Sequence, residues 1–111
     1  MSRNYVLTDA AEADLRGIIR YTRDQWGEAQ LRRYMARLEE GIIRLASSRQ
    51  PFKDMRSLHP ALRMARCEQH YIFCLPRENA PALIVAILHE RMDLMVRLAG
   101  RLNAPDMQRG E

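Results

Sequence analysis

The segment His89-Glu90-Arg91-Met92-Asp93 gathers an imidazole, two carboxylates and a guanidinium at the end of a long apolar run. Two kinds of chemistry fit these residue types. A histidine, whose ordinary pKa lies near neutrality, can carry a proton in a reaction. Arginine forks grip the paired oxygens of phosphates and carboxylates. Upstream, Arg63 and Arg66 add two more guanidinium groups. As an enzyme, the chain would use His89 as a proton-transfer group. As a binding protein, it would turn its arginines toward an anionic partner. Each residue also has a plainer role. His89 can be a half-buried histidine bonded to the following turn, and no acid or nucleophile at a telling spacing argues otherwise. Arg63 and Arg66 can tie a loop to a sheet, and Asp93 is well placed to cap a helix beginning near Leu94.

These groups need a rigid support, and the run before them supplies it. Ala82-Leu83-Ile84-Val85-Ala86-Ile87-Leu88 is continuously apolar and bounded by Pro81, which reads as a strand buried on both faces, with a short helix as the alternative. His70-Tyr71-Ile72-Phe73-Cys74-Leu75 is rich in aromatic and β-branched residues and predicts the preceding strand. Leu62 to Cys67 alternates, with Leu62, Met64 and Arg66 on one face and Arg63, Ala65 and Cys67 on the other. A hairpin turning at Glu68-Gln69 sets Cys67 opposite His70 and Cys74 opposite Arg63, so the two thiols do not face each other and no disulfide is expected. Metal-ligand spacing is absent, and no cofactor is expected.

The first half of the chain predicts two helices. Asn4-Tyr5-Val6-Leu7 is a short extended piece, and Thr8 follows as a helix cap, with Asp9 and Glu12 placed to favour the helix dipole. Ala11, Leu15, Ile18, Ile19, Thr22 and Trp26 then recur on one helical face, and Gly27 ends the element. On this spacing Trp26 is most simply a core residue, with a partner contact as the sharper option. A second helix from Glu28 carries Leu31, Tyr34, Met35, Leu38, Ile42, Leu45 and Ala46 inward. Gly41 within it costs about 1 kcal/mol relative to alanine, which the close approach of another backbone or a local bend would explain. The single-residue break at Gly27 predicts an antiparallel helix hairpin. The order is β-α-α-β-β-β with a possible short C-terminal helix over residues 92–102, an α+β domain over 1–102, and a frayed tail over 103–111. Short connections make the last three strands an antiparallel meander. The hairpin covers one sheet face and leaves the other at least partly open.

Composition narrows the partner. The 111 residues are about one domain. Lys and Arg number 18 against 14 Asp and Glu, a net charge of +4, and Lys53 is the only lysine. Arginine-dominated basicity of this size suits an acidic protein or a nucleic acid, and equally a solvated surface. With no apolar N-terminal leader and no membrane-length apolar run, a soluble cytoplasmic protein is expected.

The chain resembles the ParE toxins of the RelE/ParE toxin–antitoxin superfamily. The resemblance rests on Tyr5-Val6-Leu7-Thr8, Asp14-Leu15, Ile18-Ile19-Arg20-Tyr21-Thr22 running to Trp26-Gly27, Gln30 and Tyr34, Pro60-Ala61-Leu62-Arg63, His70-Tyr71-Ile72-Phe73, and Ile87 through Asp93. It implies a RelE/ParE-like fold and a cytoplasmic toxin that is not an enzyme. That toxin would inhibit DNA gyrase by binding and be neutralised by a ParD-like antitoxin with an acidic C-terminal segment. Direct DNA binding, membrane association and a cofactor are not implied. Arg16, Arg20, Trp26, Arg33, Arg37, Arg63, His89 and Arg91 are then the candidate partner contacts, and the isolated chain should be less soluble than its complex. The sister RelE branch suggests a ribosome-dependent messenger RNA endoribonuclease instead, with His89, Arg63, Arg66 and Arg91 as its catalytic set. RelE-like chains use a sheet-borne cluster of lysines and arginines and a tyrosine near the C-terminus. Here no tyrosine follows Tyr71 and Lys53 stands alone, which favours the binding toxin. A member that retains only antitoxin binding is a third reading.

Overall fold

A computed structural model describes residues 4–47, 52–90 and 93–103. The element order is β1 (Tyr5–Leu7), α1 (Asp9–Ala46), β2 (Lys53–Asp54), β3 (Arg63–Cys67), β4 (His70–Arg77), β5 (Ala80–His89) and α2 (Leu94–Leu102). Thr8 caps α1 as expected, its hydroxyl accepting from the Ala11 amide at 3.0 Å.

Gly27 breaks α1 into two arms. Its backbone sits at φ 85°, ψ 174°, far from helical values and in territory that only glycine enters cheaply. Without the break, 38 helical residues would extend ~57 Å, whereas the longest dimension of the molecule is 38 Å. The arms therefore fold back on one another. Ala11 and Ile18 of the first share a core with Leu38, Ile42 and Leu45 of the second, and Leu15, Tyr34 and Met35 pack against it. The predicted helix hairpin is present.

The sheet runs β1-β5-β4-β3-β2. β3, β4 and β5 form the expected antiparallel meander, with Cys67 opposite His70 and Cys74 opposite Arg63. The first strand joins it parallel to β5, Tyr5 pairing with Ala82 and Leu7 with Ile84. A two-residue strand, β2, pairs with Met64 and Arg63 in the stretch expected to be loop. Both its residues are exposed, so it has no apolar alternation to announce it.

β5 is buried on both sides, as its uninterrupted apolar run requires. Ala82, Ile84 and Ile87 face α1. Leu83, Val85, Ala86 and Leu88 face a second core with Phe73, Leu75, Met55, Leu62 and Leu98. This corrects the expectation of an open face: α2 and the turn around residues 55–62 cover it. Asp93 caps α2, its carboxylate accepting from the Val96 amide at 3.4 Å.

Candidate functional site

A groove of about 640 Å³ lies where the helix hairpin outruns the sheet. One wall is the first arm of α1. Ala13, Gly17 and Tyr21 follow one another at four-residue spacing, so two small residues lower the wall and an aromatic ring raises its end. Ile18, Thr22 and Trp26 form a second row. The facing wall is Gln30 and Tyr34 of the second arm, and the floor is the Glu68-Gln69 turn with His70, Ile87 and His89.

The aromatic rim is open. Trp26 is 68% exposed and Tyr21 63%, which corrects the reading of Trp26 as core. The helical apolar row continues from Thr22 to Trp26, but Thr22 is buried and Trp26 is not. Two large apolar rings are thus exposed at one groove.

The floor is a ring cluster. The Tyr34 hydroxyl meets Nδ1 of His70, and the two rings stand edge to face at 5.7 Å. The His70 ring in turn stands edge to face with His89 at 5.2 Å, the register pairing these two residues across β4 and β5. Burial, then the neighbouring His89, lower the His70 pKa to about 4, while burial raises that of Tyr34 to about 12. The proton therefore stays on the phenol, which donates to a neutral imidazole. Burial also pushes the Cys74 thiol up to about 11 and raises that of Cys67, so neither is a ready nucleophile.

The arginines divide among several places. Arg16 and Arg20 are exposed on the first arm. Arg33 donates to Gln30 at 2.8 Å, and Arg37 pairs with Glu68 at 3.5 Å, so both reach side chains of the groove. Arg63 sits at the far end of β3 from His70, its guanidinium 4.5 Å from the centre of the Phe52 ring. Arg66 projects from the other sheet face, beside Tyr71, and is held by Glu90 at 2.5 Å and the Glu68 carbonyl at 2.9 Å. Arg91 lies outside the described residues. The set imagined for phosphate chemistry is thus dispersed: His89 faces the groove, Arg66 the opposite side, and Arg63 the distant end of its strand. Among the described residues, no group of three or more His, Cys, Asp or Glu side chains is placed to hold a metal.

Residues 5–94 match the model of the family described as "ParE toxin of type II toxin-antitoxin system, parDE". The chain belongs to the ParE toxin family. It is similar to "Toxin ParE" of Escherichia coli, 74% identical over 98 residues, or 88% of this chain and 95% of that protein. It is also similar to "Toxin ParE1" of Mycobacterium tuberculosis H37Rv, 31% identical over 94 residues, or 85% and 96%. As a ParE toxin of a type II toxin–antitoxin system, it has an antitoxin for a partner. The α+β architecture with its kinked helix over a mixed sheet is consistent with this family. No helix among the described residues is long and apolar enough to cross a membrane.

Two features escaped the sequence reading. Asp14 was visible as a charge set between Ala11 and Ile18 on an apolar helical stripe, a placement that calls for a buried partner. That partner, Arg101, carried no signal, since it lies 87 positions away. The link from Tyr34 to His70 depends on how the second arm docks on the sheet, which spacing does not reveal.

Proposed function

We propose that the chain acts by binding DNA gyrase rather than by catalysis, and that a ParD-like antitoxin neutralises it by laying an acidic, amphipathic segment along the groove. Family membership supports the toxin; the groove supports the mode of neutralisation. The observation that carries the reading is the exposed pair Trp26 and Tyr21 at the mouth of an apolar-walled groove whose neighbouring helix surfaces bear Arg16, Arg20, Arg33 and Arg37. Apolar anchors of a partner helix or strand would bury the two rings, and its carboxylates would meet the arginines. Arg63, His89 and Arg91 stay as further proposed contacts.

The ribonuclease reading asks for a base and phosphate-holding cations around one scissile bond. His89 and Arg66 lie on opposite faces, and Glu90 already engages Arg66. Two assays decide. The purified chain is expected to block supercoiling by gyrase in vitro, and primer extension on cellular RNA after induction is expected to show no new 5′ ends. RNA cleavage with supercoiling intact would select the enzyme, and silence in both would leave a chain that binds only its antitoxin.

A further inference from the structure

β1 covers the outer edge of β5 only as far as Ile84, whose carbonyl accepts from the Thr8 amide at 3.1 Å. Just beyond, the register with β4 jumps: Cys74 faces Ile84 and Phe73 faces Ala86, leaving Val85 as an extra residue in β5. A bulge at a strand edge leaves backbone groups that a neighbouring strand would otherwise bond. Side chains bond them here. The Val85 carbonyl accepts from the Arg101 guanidinium at 2.9 Å, and the Ile87 amide donates to the Asp14 carboxylate at 3.0 Å. The two side chains also meet each other in a fork, at 2.6 and 2.9 Å, with Arg101 only 19% and Asp14 only 14% exposed.

Their origins make this more than a local pair. Asp14 comes from α1, on one face of the sheet, and Arg101 from α2, on the other. The nine residues of α2 are too few to hold a helix unaided, and Leu98 is its one fully buried side chain. Its seat over the second core therefore needs an anchor. We propose that Asp14 and Arg101 form a clasp around the edge of β5 that seals the bulged strand and holds α2 in place. When the clasp opens, α2 lifts, and the β5 edge and the second core become accessible together. Arg101 lies beyond residues 5–94, the span that matches the family model, so the clasp joins the family body to the helix that follows it. Asp14 also lines the groove, so one carboxylate faces both the groove and the anchor of the opposite side.

Hydrogen exchange on the purified full-length chain, read residue by residue, tests this. Arg101→Met is expected to speed exchange of the Ile87 amide and of the helical amides of α2 on the order of 100-fold, while the second arm of α1 and the central amides of β4 change little. Arg101→Lys keeps the charge but not the fork and should fall between. If the single variant unfolds because a buried carboxylate is left alone, the double variant Asp14→Asn with Arg101→Met removes both charges. It should recover the fold while α2 stays fast, even though the carboxamide oxygen introduced by Asp14→Asn can still accept from the Ile87 amide. Unchanged protection of α2 in either Met-containing variant, or a uniform rise across β4 and β5, would overturn the clasp.

Discussion

Trp26 and Thr22 stand one turn apart on the same helical row, yet only Thr22 is buried. A ring left in water contributes little to the fold, so Trp26→Ala should shift stability by no more than about 0.5 kcal/mol. The same change should weaken antitoxin binding by about 2 kcal/mol, roughly 30-fold, because aromatic anchors dominate interfaces of this kind. Thermal melting and a titration with the antitoxin separate the two effects; a large loss of melting temperature with unchanged affinity would return Trp26 to the core. His70 makes a prediction in pH. Its pKa is about 4 in the folded chain and near 6.5 when unfolded, so between those values the unfolded state holds the extra proton. Stability is then full above about pH 6.5 and declines as pH falls toward 4. After allowance for solvent screening at a half-buried ring, the loss is about 1–2 kcal/mol. Denaturant melts from pH 7 to 4 should show this slope, and His70→Gln should flatten it.

At the scale of elements, the break in α1 sets where the groove is. Gly27 at φ 85°, ψ 174° has nothing within 4 Å of the position a Cβ would take, so a substitution there meets no clash, only an unfavourable backbone. Gly27→Ala should therefore cost about 1–3 kcal/mol by thermal melting. Asn tolerates the left-handed helical region but not this extended one, so Gly27→Asn should cost a similar amount; a neutral Asn variant would show that the turn relaxes. Gly41 has a different reason for being glycine. A Cβ there would lie 3.3 Å from Sγ of Cys67, so what comes close to the helix is a side chain of β3, which corrects the expectation of another backbone. The hairpin, the caps at Thr8 and Asp93, and the meander with its register were legible because each is local: a break, a cap or a two-residue turn writes itself in adjacent residues. β2 was not, since an exposed two-residue edge strand exists only through its pairing with β3. The covered second face was missed for a related reason. Leu94, Leu98 and Leu102 announce an amphipathic helix, but nothing in their spacing says which surface it takes.

For the whole molecule, the candidate site was legible as residue types and less so as places. The arginines were visible, while their division between the groove, the far end of β3 and the opposite sheet face follows from strand alternation and from which face each helix covers. Their sum still matters at long range. A chain of net charge +4 with Arg16, Arg20, Arg33 and Arg37 exposed on one helix hairpin attracts an acidic segment before contact. Exposed charges are screened over roughly 10 Å at 0.1 M salt and over about 3 Å at 1 M. Salt should then slow association much more than it speeds dissociation, because the contacts proposed for the groove are largely apolar. Stopped-flow binding of the antitoxin segment is expected to show an association rate falling by about tenfold or more from low to high salt, with dissociation changed by less than about twofold. Reversing Arg16 and Arg20 together to glutamate should flatten that dependence while leaving the melting temperature within a few degrees. A salt-independent association rate would mean that the arginines take no part in capture and that the aromatic mouth of the groove recruits its partner alone.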